Sequence, residues 1–314
     1  MGDFAPTEGY AESGSAAAIA LENLSHVYRN GRGAKNVDLR IGRGEVFGFL
    51  GPNGAGKTTL IRTLLGLIAP TGGRGQVLGL DIVGQSRELR RRVGYLPGEA
   101  SLYDWLTGYQ NVDFALRVRG VADRSRLKRL AGVLDVDLGR RLKTLSHGNR
   151  QKVAIIAALA HDPDLLILDE PTSGLDPLMQ ETFQNLMREE NSRGKTIFLS
   201  SHIMGEVEAL CDRVGVIRDG RMVAVDSVEH LRKQRMKYVT CEFAGSEPVP
   251  DLAAVAGVRD LQVSGQGRRF SFAFTGSLDS LVQSLAGRGL SDLTVTDPPL
   301  EEVFRAFYEQ GGSR

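Results

Sequence analysis

Cysteine is scarce. Cys211 and Cys241 are the only two in 314 residues, and their spacing excludes a disulfide scaffold or a thiolate metal centre; both are expected to be buried, reduced thiols. No apolar run approaches the ~20 residues of a membrane-spanning helix. The longest candidate, Val153 to Ala160, stops at His161-Asp162-Pro163. A basic-then-apolar leader is also missing from the start of the chain, which is therefore expected to stay in the cytosol. Charge of one sign is lacking too: 39 Lys and Arg against 38 Asp and Glu leave a net +1. No extended polyanion-binding surface is expected, and Arg90-Arg91-Arg92 and Arg140-Arg141 read as solvated helix faces. What remains is a globular chain long enough for one large domain and one smaller one.

Against this background one stretch stands out. Gly51-Pro52-Asn53-Gly54-Ala55-Gly56-Lys57-Thr58 is a full match to G-x-x-x-x-G-K-[ST], and its flanks are those the motif needs. Val46-Phe47-Gly48-Phe49-Leu50 reads as a buried strand before it, and Ile61, Leu64, Leu65 and Ile68 form a helical stripe after it. Glycines permit a tight loop whose backbone N–H groups converge on phosphate oxygens, and the following helix N-terminus adds partial positive charge. Lys57 reaches the β- and γ-phosphates, the Thr58 hydroxyl suits a Mg²⁺ ligand, and Thr59 completes the site. Nucleoside triphosphate binding follows.

Along the chain, residues 1–17 are expected to form a disordered tail. Ile19-Ala20-Leu21 and Val37 to Ile41 read as strands of an antiparallel start. The segment Pro70 to Gly73 reads as a break, Gln76-Val77-Leu78 as a strand, Arg87 to Arg92 as a basic helix and Val93 to Pro97 as another strand. From about 99 to 162 the character is helical, an insertion into an α/β domain. Leu165-Leu166-Ile167-Leu168 then runs into Asp169-Glu170, as in a parallel strand buried on both faces with carboxylates at its carboxyl end. Thr196 to Ser200 delivers Ser201 and His202 to the same edge, and Asp219-Gly220 turns a closing hairpin. This first domain is assigned to 18–228. Residues 229–314 follow the order βαββαβ, with helices expected at Pro250 to Ala256 and Ser277 to Ala286; that is a small α+β, ferredoxin-like accessory domain. A terminal helix is expected to carry Leu300, Val303, Phe304 and Phe307.

Phosphate binding alone leaves kinases, GTPases and many ATPases open. Asp169 is placed to hold Mg²⁺, directly or through water, and Glu170 to polarise an attacking water. Asp169-Glu170-Pro171-Thr172-Ser173-Gly174-Leu175-Asp176-Pro177 and Leu145-Ser146-His147-Gly148-Asn149-Arg150-Gln151-Lys152 narrow the field: from about Ile19 to Ser227 the chain resembles the ATP-binding-cassette (ABC) transporter ATPases. In that family a Leu-Ser-Gly-Gly-Gln signature opens a helix whose N-terminus faces the γ-phosphate held by the opposite subunit. Leu145, Ser146 and Gly148 match it, while His147 and Asn149 replace its first Gly and its Gln. The resemblance makes Ser173-Gly174-Leu175-Asp176 the loop through which two subunits sense each other. It makes His202 the switch histidine that orients the catalytic water, and Tyr28 the aromatic that stacks on adenine. A coupling-loop Gln of the family is missing: Gly98 stands in its place, with Glu99 as neighbour.

The resemblance implies an ATPase whose cofactors are ATP and Mg²⁺, working as a homodimer or as a heterodimer with a related cassette. Two ATP molecules would lie between the phosphate loop of one subunit and the signature of the other. With no span of its own, the chain would power separate membrane permease subunits from the cytoplasmic face of the membrane. Docking would use the stretch Gly98 to Trp105, with Tyr103 and Trp105 as exposed aromatics. Within the family the chain looks most like bacterial exporter ATPases of the drug-resistance type, with a drug, antibiotic or lipid-like substrate. The alternative is a soluble ABC protein acting on ribosomes or DNA, which the single cassette and near-zero charge disfavour; no nucleic-acid partner is expected.

Overall fold

The computed structural model describes residues 17–99, 102–233, 237–244 and 250–296. The expected tail up to residue 16 and the expected terminal helix at 300–307 lie outside the described residues, whereas Ala17, assigned to the tail, already pairs with Gly42. The chain divides into two compact units between Asp226 and Ser227.

The first unit holds two sheets. Strands β1 (Ala17–Val27), β2 (Gly33–Gly42), β4 (Gly72–Val77) and β5 (Leu80–Asp81) form an antiparallel sheet in the order β2-β1-β4-β5. β4 begins inside the expected break, because Gly72 pairs with Ser25 of β1 by backbone alone. The second sheet runs β10-β9-β3-β8-β7-β6. Its members are β3 (Val46–Leu50), β6 (Val93–Leu96), β7 (Leu165–Asp169), β8 (Thr196–Ser201), β9 (Arg213–Arg218) and β10 (Arg221–Ser227). Pairing is parallel from β9 through β6. Every residue of β3, β7 and β8 is buried, which is why these strands read as continuous apolar runs rather than alternating ones.

Helix α1 (Lys57–Leu64) follows β3 through the glycine-rich loop, and α2 (Ser86–Arg92) precedes β6. α1 is shorter than its apolar stripe suggested. The Leu67 N–H bonds back to the Arg62 carbonyl at 2.9 Å and the Gly66 N–H to that of Thr63 at 3.0 Å, a Schellman closure that leaves Ile68 beyond the helix. The insertion contains α3 (Gly108–Val118), α4 (Ser125–Val133) and α5 (His147–Leu159). A reciprocal capping box between Thr107 and Gln110 starts α3. The insertion is tied to α6 (Pro177–Ser192) by charge: Arg126 Nη2 lies 2.6 Å from Oε2 of Glu190, itself 1 % exposed, and Arg129 pairs with Glu189 at 2.9 Å. A last helix of this unit, α7 (Met204–Leu210), follows β8. Among the described residues no helix is long and apolar enough to cross a membrane.

At the end of α5, His161 makes an acid-sensitive joint. Its Nε2 is 3.2 Å from the Val93 carbonyl and its Nδ1 has no hydrogen-bond partner. Burial, followed by the nearby Arg119, pushes its pKa down from 6.5 to about 4. The unfolded chain therefore takes up a proton that the folded one resists: the stability is complete above pH 6.5 and is lost as pH falls towards 4. Between pH 7 and 4.5, His161→Gln should lose about 2–3 kcal/mol less stability than the parent in urea melts at the two pH values.

The second unit begins with α8 (Val228–Lys233). Its sheet, β12-β13-β11-β14, comprises β11 (Lys237–Phe243), β12 (Val258–Ser264), β13 (Arg269–Phe274) and β14 (Leu290–Thr296), antiparallel at every pairing. α9 (Leu278–Leu285) supplies Leu281 and Leu285 to a core shared with Val239, Cys241, Phe243 and the alternating Phe270, Phe272 and Phe274. The helix expected at Pro250 to Ala256 is only a 3₁₀ turn, Leu252–Ala254, because Val255 is already extended. Cys211 and Cys241 are both free and buried, and burial holds both thiols above their usual range.

Candidate nucleotide site

Strand register assembles the site. In the parallel sheet Leu50 of β3 lies opposite Ser201 of β8, and Asp169 of β7 opposite Ser200. The phosphate loop, the acidic pair and the segment carrying His202 therefore leave the sheet at one edge. The loop itself is braced from a distance. The Gly220 N–H, in the hairpin between β9 and β10, donates to the Ala55 carbonyl at 2.9 Å, and its own carbonyl accepts from Lys35 N–H at 2.7 Å. Gly56 has φ of 107°, and a Cβ there would lie 2.6 Å from the Gly33 carbonyl oxygen. Only glycine fits that junction.

Lys57 is 6 % exposed, and its Nζ donates to the Gly51 carbonyl at 2.6 Å and stands 3.7 Å from Glu170 Oε1. Burial pushes its pKa below the usual lysine range; Glu170 and then Asp169 oppose that shift and favour the charged form. The Thr58 hydroxyl donates to Asp169 Oδ2 at 2.9 Å, and the Ser200 hydroxyl donates to the other carboxylate oxygen. Glu170 follows with φ of 49°, its N–H held by the Ser200 carbonyl at 3.0 Å. A non-glycine residue in this region persists only where its surroundings enforce it. Its Oε1 is 3.3 Å from Nδ1 of His202. Tyr28, 41 % exposed, lines the same cleft as Pro52, Asn53, Gly54, Gly56, Lys57, Thr58, Thr59 and Glu170, together with Asn30, Arg32 and Gly33.

Other expected site residues lie elsewhere or carry structural duties. None of Leu145, Ser146, His147, Gly148 and Asn149 lines that cleft. Ser146 is the N-cap of α5, accepting from the Asn149 N–H at 3.3 Å, and Asp176 caps α6 through the Met179 N–H at 2.9 Å. The loop Ser173-Gly174-Leu175 packs on the signature of the same chain. A Cβ at Gly148 would lie 2.8 Å from the Gly174 carbonyl, and one at Gly174, where φ is 76°, would overlap the His147 ring. Gly98 faces Asp169, whose Oδ2 would be 3.7 Å from a Cβ there, and the neighbouring Glu99 is exposed. Ser200 and Arg32 were not anticipated: a serine at the end of an apolar strand carries no signal until its register partner is known.

Residues 34–173 match the sequence profile of the ABC transporter family. The bacitracin transport ATP-binding protein BcrA of Bacillus licheniformis is 31 % identical over 295 residues, covering 91 % of this chain and 95 % of its own. This chain belongs to the ABC transporter ATP-binding proteins. The linearmycin resistance ATP-binding protein LnrL of Bacillus subtilis is 33 % identical, over 91 % of this chain and 96 % of that one. Among solved structures, an ATP-binding subunit of an ABC transporter superposes with a TM-score of 0.63 at 31 % identity, over 69 % of this chain and 92 % of that one. The cassette MJ0796, solved as a dimer in a post-hydrolysis state with ADP and Pi, superposes with a TM-score of 0.62 at 25 % identity, over 67 % and 98 %. The first unit is thus the α/β ABC ATPase fold, and the protein is an ATP-binding, ATP-hydrolysing enzyme.

Proposed function

We propose that this chain is the ATPase subunit of an ABC exporter for a drug, antibiotic or lipid-like compound, peripheral to the cytoplasmic face of the membrane through a separate permease. The observation that carries the reading is the match to BcrA and LnrL, which continues through more than nine-tenths of this chain and so includes residues beyond the cassette. The cassette is assigned to 18–228, and 229–314 to an accessory domain of ferredoxin-like type, on the strand order of its sheet.

In this reading Gly51 to Thr59 cradle the phosphates, Lys57 neutralises their charge and Tyr28 stacks on adenine. Thr58 and Asp169, already 2.9 Å apart, are the oxygen pair that fits Mg²⁺. The cation would supply charge neutralisation on the phosphate oxygens. Glu170 takes the proton of the attacking water, and His202, its Nδ1 3.3 Å from Glu170 Oε1, orients that water and the γ-phosphate. Ser146 and the α5 N-terminus, exposed and outside their own chain's cleft, serve the nucleotide of a second cassette in a head-to-tail dimer, with Ser173 to Asp176 alongside. His147 and Asn149 lie at the same surface. Gly98 and Glu99 open the coupling loop towards the permease. The exposed cluster of Tyr103, Trp105 and Phe114, with ring centroids 5.2 and 5.6 Å apart, is its docking surface.

Affinity purification of the chain from detergent-solubilised membranes should recover a polytopic membrane protein in stoichiometric amount. Recovery with ribosomes instead would reject the exporter reading.

A further inference from the structure

Behind the site lies a buried carboxylate that no step above uses. Glu206, on α7, is 5 % exposed. It accepts a hydrogen bond from the Thr172 hydroxyl and another, at 2.7 Å, from the Ser201 hydroxyl; Thr172 and Ser201 are themselves 5 % and 2 % exposed. The Ser201 oxygen in turn accepts from the Ile203 N–H at 2.9 Å. Of the residues that flank His202, Ser201 is tied to this carboxylate directly and Ile203 through Ser201. Thr172 is two residues beyond Glu170, so the same group also holds the loop that leaves the acidic pair. From the opposite side Gln151 of α5, 3 % exposed, donates to the Pro171 carbonyl at 2.8 Å.

This arrangement answers a need set by Glu170. Its left-handed backbone, φ 49°, is unfavourable for a residue with a side chain and relaxes unless neighbouring bonds prevent it. A carboxylate is an expensive group to bury when packing alone is required, since an apolar residue fills the space without desolvation. What an apolar residue cannot do is accept from two hydroxyls on two segments at once. The geometry points to Glu206 as a positioning residue for ATP hydrolysis: it joins the loop after Glu170 to the strand end carrying His202 and so fixes the two side chains against each other. The inference rests on the reading that Glu170 and His202 carry hydrolysis.

The test is a double-mutant cycle on the full chain, with ATP turnover and equilibrium ATP binding measured separately. Glu206→Ala should lower kcat about 30-fold or more and leave ATP affinity within about threefold, because no phosphate-loop contact is touched. Glu206→Gln keeps the shape and can exchange hydrogen bonds with both hydroxyls, so it should retain turnover within about fivefold. On a His202→Ala background the further loss from Glu206→Ala should be clearly smaller than about 30-fold, since only the placing of Glu170 is then left to lose. Equal losses in both backgrounds, a change in KM alone, or unaltered turnover would each overturn the proposal. Should Glu206→Ala lose its native circular dichroism, the isosteric Thr172→Val, which removes one of the two hydroxyls, decides in its place by the same criteria. Failure of the underlying reading looks different: His202→Ala and Glu170→Gln would then themselves turn over normally.

Discussion

Glu170→Gln should lower ATP turnover by about a hundredfold or more while leaving ATP affinity within about threefold. The amide keeps the volume and an oxygen beside His202, whose Nδ1 is 3.3 Å from Glu170 Oε1, but it cannot take a proton from water at neutral pH. The groups assigned to phosphate and adenine, Lys57, Thr58 and Tyr28, are unchanged. Lys57 loses the larger of its two favourable carboxylate neighbours, yet Asp169 remains to favour its charged form. ATP should therefore stay bound and unhydrolysed, and a stable dimer should accumulate, visible as an ATP-dependent shift in size-exclusion chromatography. Phosphate release measured beside nucleotide binding checks both halves, and unchanged release would remove Glu170 from its role as base.

Two chains that are each inactive should restore activity when mixed. Lys57→Ala disables the cleft of its own chain. Ser146→Asp disables the site it serves on the other, because a carboxylate replaces a hydroxyl facing phosphate; Asp caps a helix as well as Ser does, so α5 itself should survive. Each homodimer then has two defective sites and should lose about a hundredfold in turnover. In a random mixture half the dimers carry both variants, and each of these has one intact site and one doubly altered site. About a quarter of the parental turnover should return. Thermal melts establish that both variants are folded. No recovery after complete subunit exchange would reject the composite homodimeric site.

What could be read without coordinates was whatever lies close along the chain. Gly51 to Thr58 declares itself in eight consecutive residues, and β3, β7 and β8 declare themselves as apolar runs because both faces are buried. Asp169 and Glu170 were legible as the end of such a run. Ser200 was not, since its contact with Asp169 depends on the register of β7 on β8. Glu206 was equally silent: between Gly205 and Val207, two residues before Glu208, it looks like an exposed helix charge, and only the packing of α7 buries it. Gly98 drew notice solely through the resemblance, and the structure shows it facing Asp169. Local signals also overreached. The stripe through Ile68 outran α1, and the apolar residues after Pro250 sustained only a 3₁₀ turn.

The bond between Gly220 and Ala55 has a consequence for synthesis. The phosphate loop is encoded in one short stretch near the start of the cassette, yet its brace arrives with the hairpin that ends the domain. During translation the loop emerges long before the backbone that supports it, and contacts of such separation form late. A nascent chain passes through a long interval in which its most recognisable motif is present but unsupported. The backbone frame of the phosphate loop is complete only once the last hairpin of the cassette has paired.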